Sequence, residues 1–404
     1  PRAPTTVRRG ADAAATAGRP RAPRNPARED ARVFLGCYSD LMVDVSVGAP
    51  TPQRSRDLAL DFLRGYLLVV ITVDHLRFER NPLYLLSGNQ SLWVTAAEGF
   101  VLISGYLVGR LRGDEVRYAG LLEPSRHLLR RAAKLALWCA GLTIAFRVIS
   151  TVTGYWPPVP SVRPPGDLVA YSFDALILHA TYGDHNLLAG YAMFLALSPL
   201  ALLAMRRGRT WLALGISAAV WAIAFALHLE WAHSVQADLC WQLLFMIGLA
   251  AGFHHTALER RWHTLAPALR RALIHVGVIA SLAIVLGSLA RPREHGFYPT
   301  ELEQFLFDRH RLGVGRIASA LVLFPTLYAL IRALGWRGME TLGRFFVPLG
   351  QASLYVYILQ SIGSYVLVDF QLANLWLAGA ISGALIGALW LSVRYRVLWG
   401  IIPR

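Results

Sequence analysis

The sequence predicts an all-α polytopic membrane protein of about ten transmembrane helices, with both termini in the cytoplasm. Three observations carry this. The 404 residues are 55% hydrophobic and 16% charged, with a mean hydropathy of +0.42, whereas soluble domains carry about 25% charge. The apolar residues run in segments of about 20, the length that crosses hydrocarbon at about 1.5 Å per residue. The basic residues, which give a formal net charge of +15, sit in short stretches between those segments. That is the positive-inside pattern of a membrane protein, not the footprint of nucleic-acid binding.

Residues 1–55 come first and differ from the rest. They are rich in Pro, Ala, Gly and Arg and lack apolar periodicity, so a disordered tail is expected. No apolar core follows the basic part before residue 33, so this is not a secretory signal. Met42 offers an alternative start. A transmembrane domain is expected over 56–396 and a cytoplasmic tail over 397–404. The apolar segments are 58–76, 91–110, 132–152, 187–205, 211–229, 237–254, 272–290, 317–333, 345–367 and 372–393. Segment 168–183 is short, holds Asp174 and His179, and follows a Pro-rich run; it reads as an outer re-entrant or interfacial piece. With it excluded as a span, the alternate loops that hold Arg206, Arg207, Arg260, Arg261, Arg270 and Arg271 all fall inside. The three cysteines, Cys37, Cys139 and Cys240, are far apart and form no metal or disulfide pattern. No metal site is expected.

The first span carries polar groups that lipid disfavours. In "LRGYLLVVITVDHL" (63–76), Arg64 and His75 are eleven residues apart, close to three helical turns and about 16 Å of rise. Asp61 and Thr72 share that face. An Asp61–Arg64–Thr72–His75 stripe at membrane depth is expected to line an interior site. The competing readings are plain: Arg64 near one end could snorkel, and His75 near the other could sit among headgroups. The second span, "AAEGFVLISGYLVGRLRG", adds Glu98 and the small residues Gly99, Ser104, Gly105 and Gly109, which allow close helix approach. Glu98 is the expected carboxylate partner of His75, with Asp74 beside it. A histidine held by a carboxylate suits a general base acting on a hydroxyl.

An arginine, ten residues and a histidine in one span, followed by "GFVLISGYL" in the next, resembles the acyltransferase type 3 membrane family. The nearer resemblance is to its OpgC-like succinyltransferase branch. "LDFLRG…DHL" and "AAEGFVLISGY" look like the first two blocks, "WQLLFMIGLAAG" (241–252) like a middle block and "GQASLYVYILQ" (350–360) like the late one. The broader family commonly ends that late block in histidine; here the position is Gln360.

The resemblance implies a multi-pass enzyme of the bacterial cytoplasmic membrane. It would move an acyl group, succinyl for this branch, from cytoplasmic acyl-CoA to hydroxyls of an extracytoplasmic glycan such as periplasmic glucan. Succinyl-CoA would be a co-substrate, with no permanently bound cofactor. His75 matches the family histidine, the base, and Arg64 the family arginine. The polar residues of the later blocks, Trp241, Gln242, Ser353, Tyr357 and Gln360, become candidates for substrate contact. The basic loop 110–134 fits the same picture: Arg110, Arg126, Arg130 and Arg131 suit CoA phosphates, against the alternative of ordinary topological charge. Asp184, His185 and Asn186 are acceptor-site candidates, against the alternative of a helix cap. Two rivals stand beside this reading: a secondary transporter or flippase using the polar stripe as a relay, and an acetyltransferase for another surface polysaccharide.

Overall fold

The computed structural model describes residues 57–88, 91–155, 167–182, 186–227, 233–290, 300–367, 372 and 374–402. The tail expected over 1–55 lies outside them. Every regular element among the described residues is helical.

Local chemistry sets the helix ends. Helix α1 (Leu58–His75) starts at Asp57, whose carboxylate accepts from the Ala59 and Leu60 amides. Helix α2 (Ala96–Tyr118) starts with a capping box, Thr95 and Glu98 each serving the other's backbone. Helix α3 (Leu122–Thr153) ends at Gly154 in the left-handed conformation. Helix α4 (Leu168–Leu176) is nine residues long, too short to cross hydrocarbon. There follow α5 (Asn186–Arg206), α6 (Thr210–Ala226), α7 (His233–Phe253), α8 (His255–Thr264), α9 (Pro267–Leu289) and α10 (Glu301–Phe307). Helix α11 (Val314–Gln351) is broken at Gly335, at φ 65°, into Val314–Gly335 and Met339–Gln351. Helices α12 (Ser353–Leu367) and α13 (Leu375–Arg394) complete the chain.

Each of the ten expected segments lies largely on a helix, yet among the described residues six helices are long and apolar enough to cross a membrane unaided. They are α3, α5, α7, α9, the first part of α11, and α13; Met339–Gln351 with α12 would make a seventh, bent by 87°. The difference from ten has a physical cause. Helix α1 carries Asp61, Arg64 and Asp74, α2 carries Glu98, Arg110 and Arg112, and α6 has 17 residues. Most of α1 is buried by protein, so its charges are shielded by neighbouring helices.

Glycine sets how closely these helices approach. A Cβ on Gly105 or Gly109 of α2 would strike the carbonyls of Phe245 and Leu249. A Cβ on Gly248 or Gly252 of α7 would strike those of Leu102 and Tyr106. Two G-x-x-x-G faces therefore interlock backbone to backbone, the packing that serves where lipid removes the hydrophobic drive between helices. Gly65 of α1 and Gly350 make a similar contact through the Phe346 and Asp61 carbonyls. Met339–Gln351 thus crosses the first turns of α1, with Phe346 edge-on to Phe62 and Tyr66. Cys139 and Cys240 are buried free thiols.

Candidate functional site

The bend after Gln351 places α12 along α1. Three residues of the α1 stripe then meet three successive polar groups. Gln351 Nε2 donates to Asp61 Oδ2 at 3.2 Å. Arg64 donates to Ser353 Oγ. His75 Nδ1 lies 3.3 Å from Gln360 Oε1. The predicted face exists, and the end of α11 together with α12 covers it. Thr72 is the exception: it is buried and its hydroxyl donates to the Leu68 carbonyl one turn back, which removes it from the site.

Beside Arg64 lies a half-open cleft of about 320 Å³, the open solvent at its mouth included. Arg64, Arg131, Ser353 and Tyr357 line it, together with Phe100 and Tyr191. Four of these six were candidates in the sequence. Phe100, whose ring lies 5.8 Å from the Arg64 guanidinium carbon, and Tyr191 were not. The Nε atoms of Arg64 and Arg131 are both buried and have no hydrogen-bond partner among the described residues. Two cations from different helices with unused donors form a place for an anion.

The expected Glu98–His75 pair does not form. Glu98 is fully buried; one oxygen accepts from Thr95 and the other takes both Nε and Nη2 of Arg316. The capping box at the start of α2 aims this carboxylate at α11. Asp74, also buried, shares a side-chain hydrogen bond with Ser87. Ser104 is buried on α2 and is not among the residues lining the cleft. Arg110 pairs with Asp57 at 3.0 Å, and that carboxylate also accepts from Tyr328 at 2.6 Å. Arg126 pairs with Glu123 across one turn of an exposed face, and Arg130 is exposed. Of the predicted basic loop, Arg131 alone lines the cleft.

The polar residues of the middle block bond to neighbouring segments of the chain. Gln242 and Ser217 exchange two hydrogen bonds of 2.7 and 2.8 Å, clamping α7 to α6, and the Trp241 indole donates to the Arg309 carbonyl. Neither lines the cleft. Asp184, His185 and the Asn186 side chain lie outside the described residues.

A family model described as "OpgC protein" matches residues 56–399. The chain belongs to the OpgC family. No curated protein matches it. The match takes in α1 to α13 and every residue of the cleft and stripe, and it leaves out the N-terminal tail. OpgC membership implies a transferase, and the apolar helices place it in a membrane.

Proposed function

We propose that this OpgC protein transfers a succinyl group from cytoplasmic succinyl-CoA to hydroxyls of an extracytoplasmic glucan, with His75 as the base. In this reading the ten apolar segments of the sequence cross the bacterial cytoplasmic membrane, and both termini are cytoplasmic. The observation that carries the reading is the two-ended stripe: the Arg64–Arg131 cleft near one end of α1 and His75 about 16 Å along the same helix. That length is comparable to an extended pantetheine arm, so an anionic headgroup near the arginines could present its thioester close to the histidine.

The chemistry balances on these residues. His75 takes the proton of a glucan hydroxyl as its oxygen bonds to the thioester carbonyl carbon. The carbon–sulfur bond breaks, CoA leaves as thiolate, and the imidazolium returns the proton to sulfur. Asp61, Arg64 and Ser353 hold the donor end; Tyr357 lies between the arginines and the histidine on α12.

The test uses purified protein in lipid nanodiscs with labelled succinyl-CoA and periplasmic glucan. Glucan should gain label while CoA is released in equal amount. Label that stays on CoA with glucan unchanged would point to a carrier, and transfer from acetyl-CoA in preference would point to an acetyltransferase.

A further inference from the structure

We propose that the Arg64–Arg131 cleft holds the phosphate joined directly to the pantetheine arm of the donor, with the Tyr191 hydroxyl as a third donor group, and leaves the adenosine 3′-phosphate of CoA outside. The inference rests on the reading of succinyl-CoA as the donor and adds which part of that molecule the protein recognises.

Three polar groups reach this cleft from three helices. Arg64 of α1 gives one N–H to Ser353 and keeps a buried Nε with no hydrogen-bond partner among the described residues. Arg131 of α3 brings a second buried Nε in the same state. Tyr191 of α5 lines the same wall, and its phenol interacts with the Arg64 charge. The Tyr191 ring is set edge-on against Phe245 of α7, 6.0 Å between centroids, so the hydroxyl is held at the end of a packed ring. Much of the remaining wall is apolar, through Leu187, Leu188 and Leu354. Guanidinium N–H groups and a phenol converging in apolar surroundings suit phosphate oxygens, which accept several charge-assisted hydrogen bonds at once.

Position along the helices says which anion this is. Arg64 and His75 are eleven residues apart on α1, about 16 Å of rise, and the α12 groups that meet them, Ser353 and Gln360, are seven apart, about 10 Å. A succinyl carboxylate at the arginines would keep its own thioester carbon three carbon–carbon bonds away, far short of His75. The 3′-phosphate lies beyond the ribose, with the diphosphate between it and the arm. The phosphate that ends the pantetheine arm is the anion whose distance from the thioester fits. Size agrees: about 320 Å³, mouth included, is at the lower end of the roughly 300–1,000 Å³ of ligand pockets, room for a phosphate group and the start of the arm but not for the nucleotide as well.

The test is a series of succinyl thioesters shortened from the nucleotide end: succinyl-CoA, succinyl-dephospho-CoA, succinyl-4′-phosphopantetheine and succinyl-pantetheine. Each is given to the protein in nanodiscs, with transfer to glucan read as kcat/KM and binding read as displacement of labelled succinyl-CoA. The first three should agree within about tenfold, because the phosphate next to the arm is kept. Removing that phosphate should cost about 10²-fold, the scale of charge-assisted hydrogen bonds lost together. Tyr191→Phe keeps the ring against Phe245 and should weaken the three phosphate-bearing donors about threefold to tenfold, and Arg64→Lys should weaken them about tenfold. On succinyl-pantetheine both penalties should shrink to within about twofold, since the partner of these side chains is gone. Equal penalties on all four donors would make the residues structural and overturn the proposal. So would a loss on removing the 3′-phosphate as large as the loss on removing the arm phosphate. If succinyl-CoA binds but no donor yields succinylated glucan, the transferase reading fails, and the displacement series still decides which phosphate the cleft holds.

Discussion

Two pairs of charged residues sit deep among these helices, and they are built in opposite ways. Glu98 and Arg316, 0% and 3% exposed, form a closed pair. Both carboxylate oxygens are taken, one by the guanidinium and one by Thr95. Arg64 and Arg131 are like charges brought to one cleft, each with an Nε that nothing among the described residues satisfies. The first arrangement has its countercharge already and fixes α2 against α11. The second makes no salt bridge among the described residues, with Asp61 the one carboxylate acting on Arg64, and suits an anion supplied from outside. A buried charge alone therefore says little about function; what separates structure from site is whether its bonds are complete.

The largest expected effect breaks the closed pair. Glu98→Ala leaves Arg316 buried without its partner, a loss of about 3–5 kcal/mol, read as a lowered unfolding temperature in detergent. The double variant Glu98→Leu with Arg316→Met should recover most of that, because replacing both members of a buried pair by apolar groups is often close to neutral. A single variant as stable as wild type would mean that the pair does not hold α2 to α11.

The open pair should respond in binding and leave stability alone. Arg64→Lys keeps the charge but loses the planar fork. Its affinity for succinyl-CoA should fall about tenfold, which is about 1.4 kcal/mol, with unchanged unfolding. Arg126→Ala with Arg130→Ala should cost less than about 1 kcal/mol, and the effect should vanish at high salt, since both are exposed. Equal losses for Arg64→Lys and for the exposed pair would erase the distinction between the cleft and ordinary topological charge.

How much of this the sequence carries depends on the range of the interaction. The α1 stripe is a matter of helical period, and Asp61, Arg64 and His75 do share a face. The capping contact of Glu98 is also legible locally, since "TAAE" (95–98) is a Ser/Thr-x-x-Glu capping box. The bend after Gln351 was not legible, because 345–367 reads as one apolar span, and the register that delivers Ser353 and Gln360 to α1 follows from that bend. Arg316, Tyr191 and Phe100 meet their partners across long stretches of sequence, with no periodic signal to announce them. Gln242 is a polar residue on a spanning helix whose partner, Ser217, lies on another; sequence alone does not separate such a clamp from a ligand contact.

The most direct test is His75→Ala compared with wild type, in the same nanodiscs, for succinyl transfer and for succinyl-CoA binding. Removing the base should lower transfer by about 10²-fold or more and leave donor affinity within about twofold, because the Arg64–Arg131 cleft is untouched. Transfer at the wild-type rate in His75→Ala would contradict the assignment of His75 as the base.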